Sequence, residues 1–135
     1  MNEAELDQLM KDSAKDAVST AKVEFDIQLD YSPESIQNVD SAILSFLEKY
    51  AHVALEDKAV FTICNIFGAY VGEVYKSISD GHWIYDVSES DAPSIYMKLN
   101  DLTFAFAGVC FEKLVRNQDI SIEEYFVNAV SKSKA

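Results

Sequence analysis

Residues 59–78 constrain the fold more than any other part of the chain, because apolar side chains fall on nearly every side of the helix that they predict. A helix that is apolar all round has to be covered by other elements, so we expect it to lie at the centre of the molecule. Ser79, Asp80 and Gly81 then end the helix, and we expect Gly81 to adopt the left-handed conformation of a helix cap.

Two amphipathic helices are predicted before this central helix. Residues 4–21 repeat apolar side chains at intervals of three and four, with charged residues on the other side. Ser32 and Pro33 are typical of a helix start, and helical spacing continues to about Ala54. Between these helices, residues 23–31 alternate strictly between apolar and polar, which predicts a half-buried strand.

The C-terminal half predicts a β-hairpin and further helices. Residues 82–87 and 95–99 flank a turn and are typical of paired strands. Residues 102–116 fit a helix, and their Phe-Ala-Phe opening also fits an extension of the strand before it. Ser121, with Glu124 three residues later, is typical of the start of a last helix.

These elements together predict one α+β domain over residues 1–135. We expect about five helices packed on a small antiparallel β-sheet or hairpin. The ends, at about residues 1–3 and 131–135, are predicted to fray, as chain termini often do.

Gly68 and Gly72 lie one turn apart on the same face of the central helix, where they allow a neighbouring element to approach its backbone closely. Glycine destabilises a helix by about 1 kcal/mol relative to alanine, so the close packing has to stabilise the fold by at least that much. Packing is the favoured interpretation, and the alternative is a groove that admits a ligand.

Glu73 places a carboxylate on this mainly apolar helix, where an unpaired buried charge is very costly. We expect it to reach solvent or to accept a hydrogen bond from His82 or the Trp83 indole across the turn, with Tyr70 nearly opposite on the helix. An anchor between helix and hairpin is the favoured role. A general base and a ligand-binding group are the alternatives.

The predicted hairpin carries a cluster of aromatic residues. Alternation places Trp83 and Tyr85 on one face and His82 on the other. An exposed aromatic face would mark an interface, whereas a covered one would pack on the helices. The candidate ligand or interface residues are therefore Gly68, Tyr70, Gly72, Glu73, His82, Trp83 and Tyr85.

The charge of the chain narrows the classes of partner. Twenty-three acidic and 11 basic residues give a net charge of −12. A field of this sign repels phosphate backbones and anionic lipids and attracts basic proteins. The charge therefore predicts no nucleic-acid and no membrane binding, and it fits either a solvated, soluble surface, which is the favoured interpretation, or a surface that docks a basic protein partner. The acidic opening MNEAELDQLM does not resemble a signal peptide, so the cytoplasm is the expected location.

No spacing in the chain predicts a cofactor or a reaction. Cys64 and Cys110 lie among apolar neighbours without CxxC spacing, which predicts buried thiols. His52 and His82 show no metal-ligand spacing, and the sequence has no P-loop, no GxGxxG and no GxSxG motif. We expect no metal site, no cofactor and no catalytic residue.

Two stretches of the sequence carry a family resemblance. LDYSPESIQNVD, residues 29–40, and FGAYVGEVYKSISDGHW, residues 67–83, resemble the LDYSPESL and GAYLGE…GG.W motifs of a family of small uncharacterised bacterial α+β proteins. The likeness covers about residues 25–118, with His82 in place of the second glycine of the GG pair and Val71 in place of leucine. It implies a fold and a bacterial cytosolic setting, and no reaction, cofactor or catalytic residue.

Three hypotheses of function follow from these observations. The leading one is a non-catalytic protein-interaction module, of the acidic immunity or antitoxin-like kind that occludes a basic partner. The alternative is a small-ligand-binding or enzymatic domain with a pocket around Glu73, His82 and Trp83. The third is a homo-oligomer formed through the hairpin or the last helix.

Overall fold

The predicted central helix is present as α3 (Asp57–Ser77) in the computed structural model, which describes residues 1–89 and 94–134. Residues 66–72 are all buried, because α1 (Glu3–Phe25) and α4 (Phe106–Phe111) both pack against this helix. The α+β class predicted from the sequence is confirmed.

The second and last helices, α2 (Ile36–Lys49) and α5 (Ile122–Ser133), pack against each other. Ser32 caps a single 3₁₀ turn (Pro33–Ser35) that leads into α2, and Ser121 caps α5 as predicted. α2 ends earlier than predicted, because residues 51–54 are all exposed and further turns would bury no apolar surface.

Three antiparallel strands form the sheet in the order β1-β2-β3: β1 (His82–Asp86), β2 (Ser94–Leu99) and β3 (Leu102–Phe104). β1 and β2 are the predicted hairpin, and residues 90–93 of its predicted turn lie outside the described residues. The Phe-Ala-Phe opening does not extend β2 directly. Asn100, at φ 53°, reverses the chain first, so the residues to Phe104 form a third strand.

The helix predicted over residues 102–116 is therefore shorter. It consists of α4 and a π-helical turn (Glu112–Arg116).

The predicted strand over residues 23–31 is wrong. α1 continues to Phe25 and ends at Asp26, which is left-handed at φ 54°. Residues 27–30 belong to no helix or strand and alternate in burial, and no described strand pairs with them. Side chains hold part of this backbone instead, since the Asn38 amide donates to the Gln28 carbonyl at 3.1 Å. Alternation indicates alternate burial of an extended segment, and it carries no information about a partner strand.

The predicted left-handed conformation of Gly81 is also wrong, because φ is not positive there. A Cβ at this position would lie 2.6 Å from Cε2 of Tyr75 and 3.0 Å from Sδ of Met97. Glycine is needed here for the close approach of β1 to the last turn of α3.

A buried ion pair connects α2 to the start of α5. The Asp40 carboxylate accepts hydrogen bonds from the backbone N–H groups of Ile122 at 2.7 Å and Glu123 at 3.0 Å. The Lys113 ammonium, only 4% exposed, lies 3.7 Å from Asp40 and donates to two backbone carbonyls of the preceding loop at 2.6 and 2.7 Å. These bonds satisfy both charges and fix where α5 begins.

Both chain ends are largely helical. Asn2 accepts a hydrogen bond from the backbone N–H of Glu5 at 2.8 Å and caps α1, and α5 reaches Ser133. Within the two end segments in which fraying is predicted, Glu3 and residues 131–133 are therefore helical, and Ala135 lies outside the described residues.

The two cysteines are free and buried, as predicted. Burial raises the pKa of the Cys64 thiol to about 11, and it raises the pKa of the Cys110 thiol well above its ordinary value. Both side chains therefore act as small apolar groups of the core.

Candidate functional site

The two motif stretches of the sequence meet at the buried hydroxyl of Tyr70. This hydroxyl accepts a hydrogen bond from the backbone N–H of Tyr31 at 2.8 Å, and it shares another with the Ser35 hydroxyl at 2.6 Å. Tyr31 has a left-handed backbone at φ 66°, which is uncommon for a bulky residue. Tyr70 thus fastens the LDYSPES segment to α3, and its role is structural.

The two tyrosine rings pack against each other, with their centroids 5.0 Å apart. Burial raises the pKa of Tyr70, and burial together with the negative charge of Glu73 raises the pKa of Tyr31. Both phenols therefore remain protonated near neutral pH and serve as neutral hydrogen-bonding groups.

Glu73 connects α3 to the hairpin and to α1. Its carboxylate accepts a hydrogen bond from the Trp83 indole N–H at 2.8 Å and lies 3.8 Å from the ammonium group of Lys76. Lys76 also lies 3.7 Å from Asp7 of α1. The predicted bond to Trp83 is confirmed, whereas His82 is exposed on β1 and is not among the hydrogen-bond partners of Glu73 in the described part of the chain. The arrangement is that of an anchor.

Gly68 and Gly72 pack as closely as predicted. A Cβ at Gly72 would lie 2.1 Å from Cη2 of the Trp83 ring, and a Cβ at Gly68 would lie 2.5 Å from Cα of Ala107. The Trp83 ring therefore fills the space beside Gly72, where the ligand-binding alternative requires room.

A groove of about 490 Å³ lies beside Gly68, and we call it the α3 groove. α3 forms its floor, α1 forms one wall, residues 105–108 form the other wall, and the hairpin closes one end. Small residues keep it open, since Gly108 and two alanines make up the wall opposite α1. Its lining includes Leu9, Ser13, Asn65, Gly68, Tyr85 and Ala107.

The lining of the α3 groove is mainly apolar. Its polar groups include the side chains of Ser13, Asn65 and Ser94 and the hydroxyl of Tyr85, and none of the described residues that line it is charged. Leu9 and Tyr85 are 41% and 38% exposed at its edge. Such a lining suits binding of an apolar surface.

Acidic residues lie along the α1 edge of this groove. With a helical repeat of about 100° per residue, Asp16, Glu5 and Asp12 lie about 20°, 40° and 60° from Leu9 around the helix axis. All three are exposed. The lysines of α1 lie at least about 120° from Leu9, on the opposite side of the helix. The α1 edge of the groove is therefore negatively charged.

The predicted site residues divide into three groups. Gly68, Trp83 and Tyr85 line the α3 groove. Tyr70, Gly72 and Glu73 belong to the packing that supports it, and His82 is exposed on β1.

Sequence reasoning missed the remaining residues of the α3 groove, chiefly Leu9, Ser13, Asn65, Ala107 and Gly108. Two signals were available. Asn65 is polar within the most apolar helix, and Leu9 lies beside the narrow buried stripe of α1.

Comparisons with known proteins add no relative. A scan against family models found no matching family, and searches of curated proteins and of solved structures found no match. Across residues 1–89 and 94–134, no helix is long and apolar enough to cross a membrane. The same residues contain no group of three or more His, Cys, Asp or Glu side chains that could hold a metal ion.

Proposed function

We propose that the chain is a non-catalytic protein-interaction module that binds a basic protein, in the manner of an acidic immunity or antitoxin-like protein. The observation that carries the proposal is negative charge that the fold leaves unneutralised. Of the 23 acidic residues, six pair with a basic side chain within the described part of the chain. Such a field accelerates encounter with a basic partner and favours it over others.

Exposed apolar side chains lie next to this charge. Leu9 and Tyr85 are partly exposed at the α3 groove, whose α1 edge is acidic. Apolar contact supplies most of the affinity of protein interfaces, and charge complementarity supplies specificity and association rate. The combination supports binding of a protein surface that is apolar in the middle and basic at its edge.

Glu73 is the acid that most resembles a catalytic group, and its surroundings favour a binding role of the chain over a catalytic one. Glu73 is 13% exposed and is engaged by Trp83 and Lys76, and it does not line the α3 groove. A general base has to be within hydrogen-bond reach of the proton that it abstracts.

A second candidate function is binding of a small apolar ligand in the same groove. Its volume of about 490 Å³ falls within the usual range of small-molecule sites. Thermal shift assays with small apolar compounds test this candidate, and a compound that stabilises the wild type but not a Ser13→Phe variant would favour it.

The proposed function is tested by affinity capture from the native cell with three forms of the chain. The wild type and the control Glu48→Lys are expected to retain the same basic protein. Asp16→Lys, which changes net charge equally but on the α1 edge, is expected to retain about tenfold less, as for the loss of about 1.4 kcal/mol. Glu48 is exposed on α2, away from the groove.

Salt dependence completes this experiment, because retention should fall as ionic strength screens the charges. The proposal fails if the wild type retains no basic protein. It also fails if all three forms retain the same amount regardless of salt.

A further inference from the structure

We propose that the α3 groove is the docking site of one amphipathic helix of the basic partner. The apolar face of that helix packs on the apolar lining of the groove, and its basic residues lie beside the acids of α1. The inference rests on the proposed function and specifies the surface and the kind of segment that it recognises.

A helix is the occupant whose backbone suits this groove. Helices form the floor and the α1 wall, and their backbone N–H and C=O groups are engaged within the helices themselves. An extended peptide has to find partners for its own backbone groups, and the helices of the floor and the α1 wall offer it none, which is costly. A helix satisfies those groups internally and brings only side chains to the apolar lining.

The floor indicates the length of the bound helix. Phe61, Asn65 and Gly68 follow at intervals of four and three on one face of α3. Phe61, 54% exposed, stacks on Phe111 with ring centroids 5.9 Å apart, so apolar surface continues past the groove. The seven residue steps from Phe61 to Gly68 span roughly 10 Å along the axis of α3. Together with the end of the groove at the hairpin, this length accommodates about three turns of a partner helix.

The charges indicate its orientation about its own axis. Asp12 and Asp16 are one turn apart on α1 and exposed, so a parallel or antiparallel partner helix meets them with basic residues one turn apart. The opposite wall, residues 105–108, carries no charge. The basic stripe of the partner therefore lies on one side of its apolar face rather than on both.

The probe is a synthetic amphipathic peptide of leucine, alanine and lysine, long enough for about four helical turns, with lysines along one edge of the apolar face. A peptide of the same composition in scrambled order is the first control, and one with a central proline is the second. Trp83 is the only tryptophan of the chain and lines the groove, so its fluorescence reports occupancy. We expect the ordered peptide to bind at least about tenfold more tightly than either control.

Two variants separate apolar docking from simple charge attraction. Leu9→Glu and Val127→Glu each add one negative charge at an exposed apolar position of a helix, and only Leu9 lines the groove. Charge attraction alone predicts tighter peptide binding for both variants. Docking in the groove predicts weaker binding for Leu9→Glu, by about tenfold, and unchanged or slightly tighter binding for Val127→Glu.

A third variant, Ser13→Phe, fills the groove without a change of charge and is expected to abolish the Trp83 response. Circular dichroism melting confirms that each variant is folded. The inference is overturned if Leu9→Glu binds the peptide as tightly as the wild type, or if the proline peptide binds as well as the ordered one. If the chain binds the peptide normally but captures no basic protein from the cell, the result counts against the proposed function alone.

Discussion

Gly72→Ala tests the close packing between α3 and the hairpin most directly. The added Cβ would lie 2.1 Å from Cη2 and 2.2 Å from Cζ2 of Trp83, well inside van der Waals contact. Trp83 is only 4% exposed, and its indole N–H is bonded to Glu73, so the ring cannot move aside without loss. Either the ring shifts and gives up that bond, or β1 moves away from α3.

The magnitude follows from three contributions. Overpacking a buried site costs about 1 to 3 kcal/mol. Loss of a hydrogen bond to a charged group costs about 1.5 to 3 kcal/mol. Replacing glycine by alanine within a helix stabilises the helix by about 1 kcal/mol. We therefore expect Gly72→Ala to lower the free energy of unfolding by about 1.5 to 5 kcal/mol.

Gly108→Ala is the matched control. Its Cβ would meet only Cβ of Ala105, at 3.2 Å, so we expect the free energy of unfolding to stay within about 1 kcal/mol of the wild type. Urea unfolding followed by circular dichroism measures both variants, because this signal does not depend on tryptophan.

A double-mutant cycle with Trp83→Phe identifies the cause. Phenylalanine lacks the two ring atoms that the new Cβ meets, so Gly72→Ala should cost less than about 1 kcal/mol in that background. The same cost in both backgrounds would refute the explanation, since the destabilisation would then come from somewhere other than the Trp83 ring.

Three further changes test other parts of the structure. Tyr70→Phe removes the acceptor of the Tyr31 backbone N–H and one of the two partners of the buried Ser35 hydroxyl, and it should cost about 2 to 3 kcal/mol in urea unfolding; a cost below about 0.5 kcal/mol would contradict the anchoring role. Lys113→Met leaves Asp40 without its buried cation and should cost about 3 kcal/mol; unchanged thermal stability would show that the pair is not needed. The raised pKa of Cys64 means that the folded state holds the thiol proton more tightly than the unfolded state. Stability should therefore fall by up to about 3 kcal/mol as pH rises from 9.0 to about 11, and the fall should be smaller in Cys64→Ala; equal pH dependence in both proteins would contradict this.

The prediction of the fold succeeded where local chemistry decides the structure. The apolar surround of residues 59–78 indicated the central helix, and Ser121 indicated the start of α5. The bond between Glu73 and Trp83 was also predictable, because a carboxylate on an apolar helix needs a donor and the indole follows ten residues later.

The prediction failed where the outcome depends on a distant partner. Residues 23–31 alternate as a strand does, yet α1 takes up those to Phe25 and the sheet forms elsewhere. Gly81 looked like a helix cap, but its role is set by Tyr75 and Met97, and Met97 comes from a different strand. Neither outcome can be read from a local pattern.

The sequence by itself determined the net charge, the central helix and the chemistry of most turns, since these depend on residue types and on neighbours a few positions away. Only the tertiary structure decided where the α3 groove forms. The α3 groove joins Leu9 of α1 to Gly68 of α3 and Ala107 of α4, three residues that are far apart in the sequence. Chain folding also decided that the acids of α1 border this groove while the lysines of the same helix face away from it.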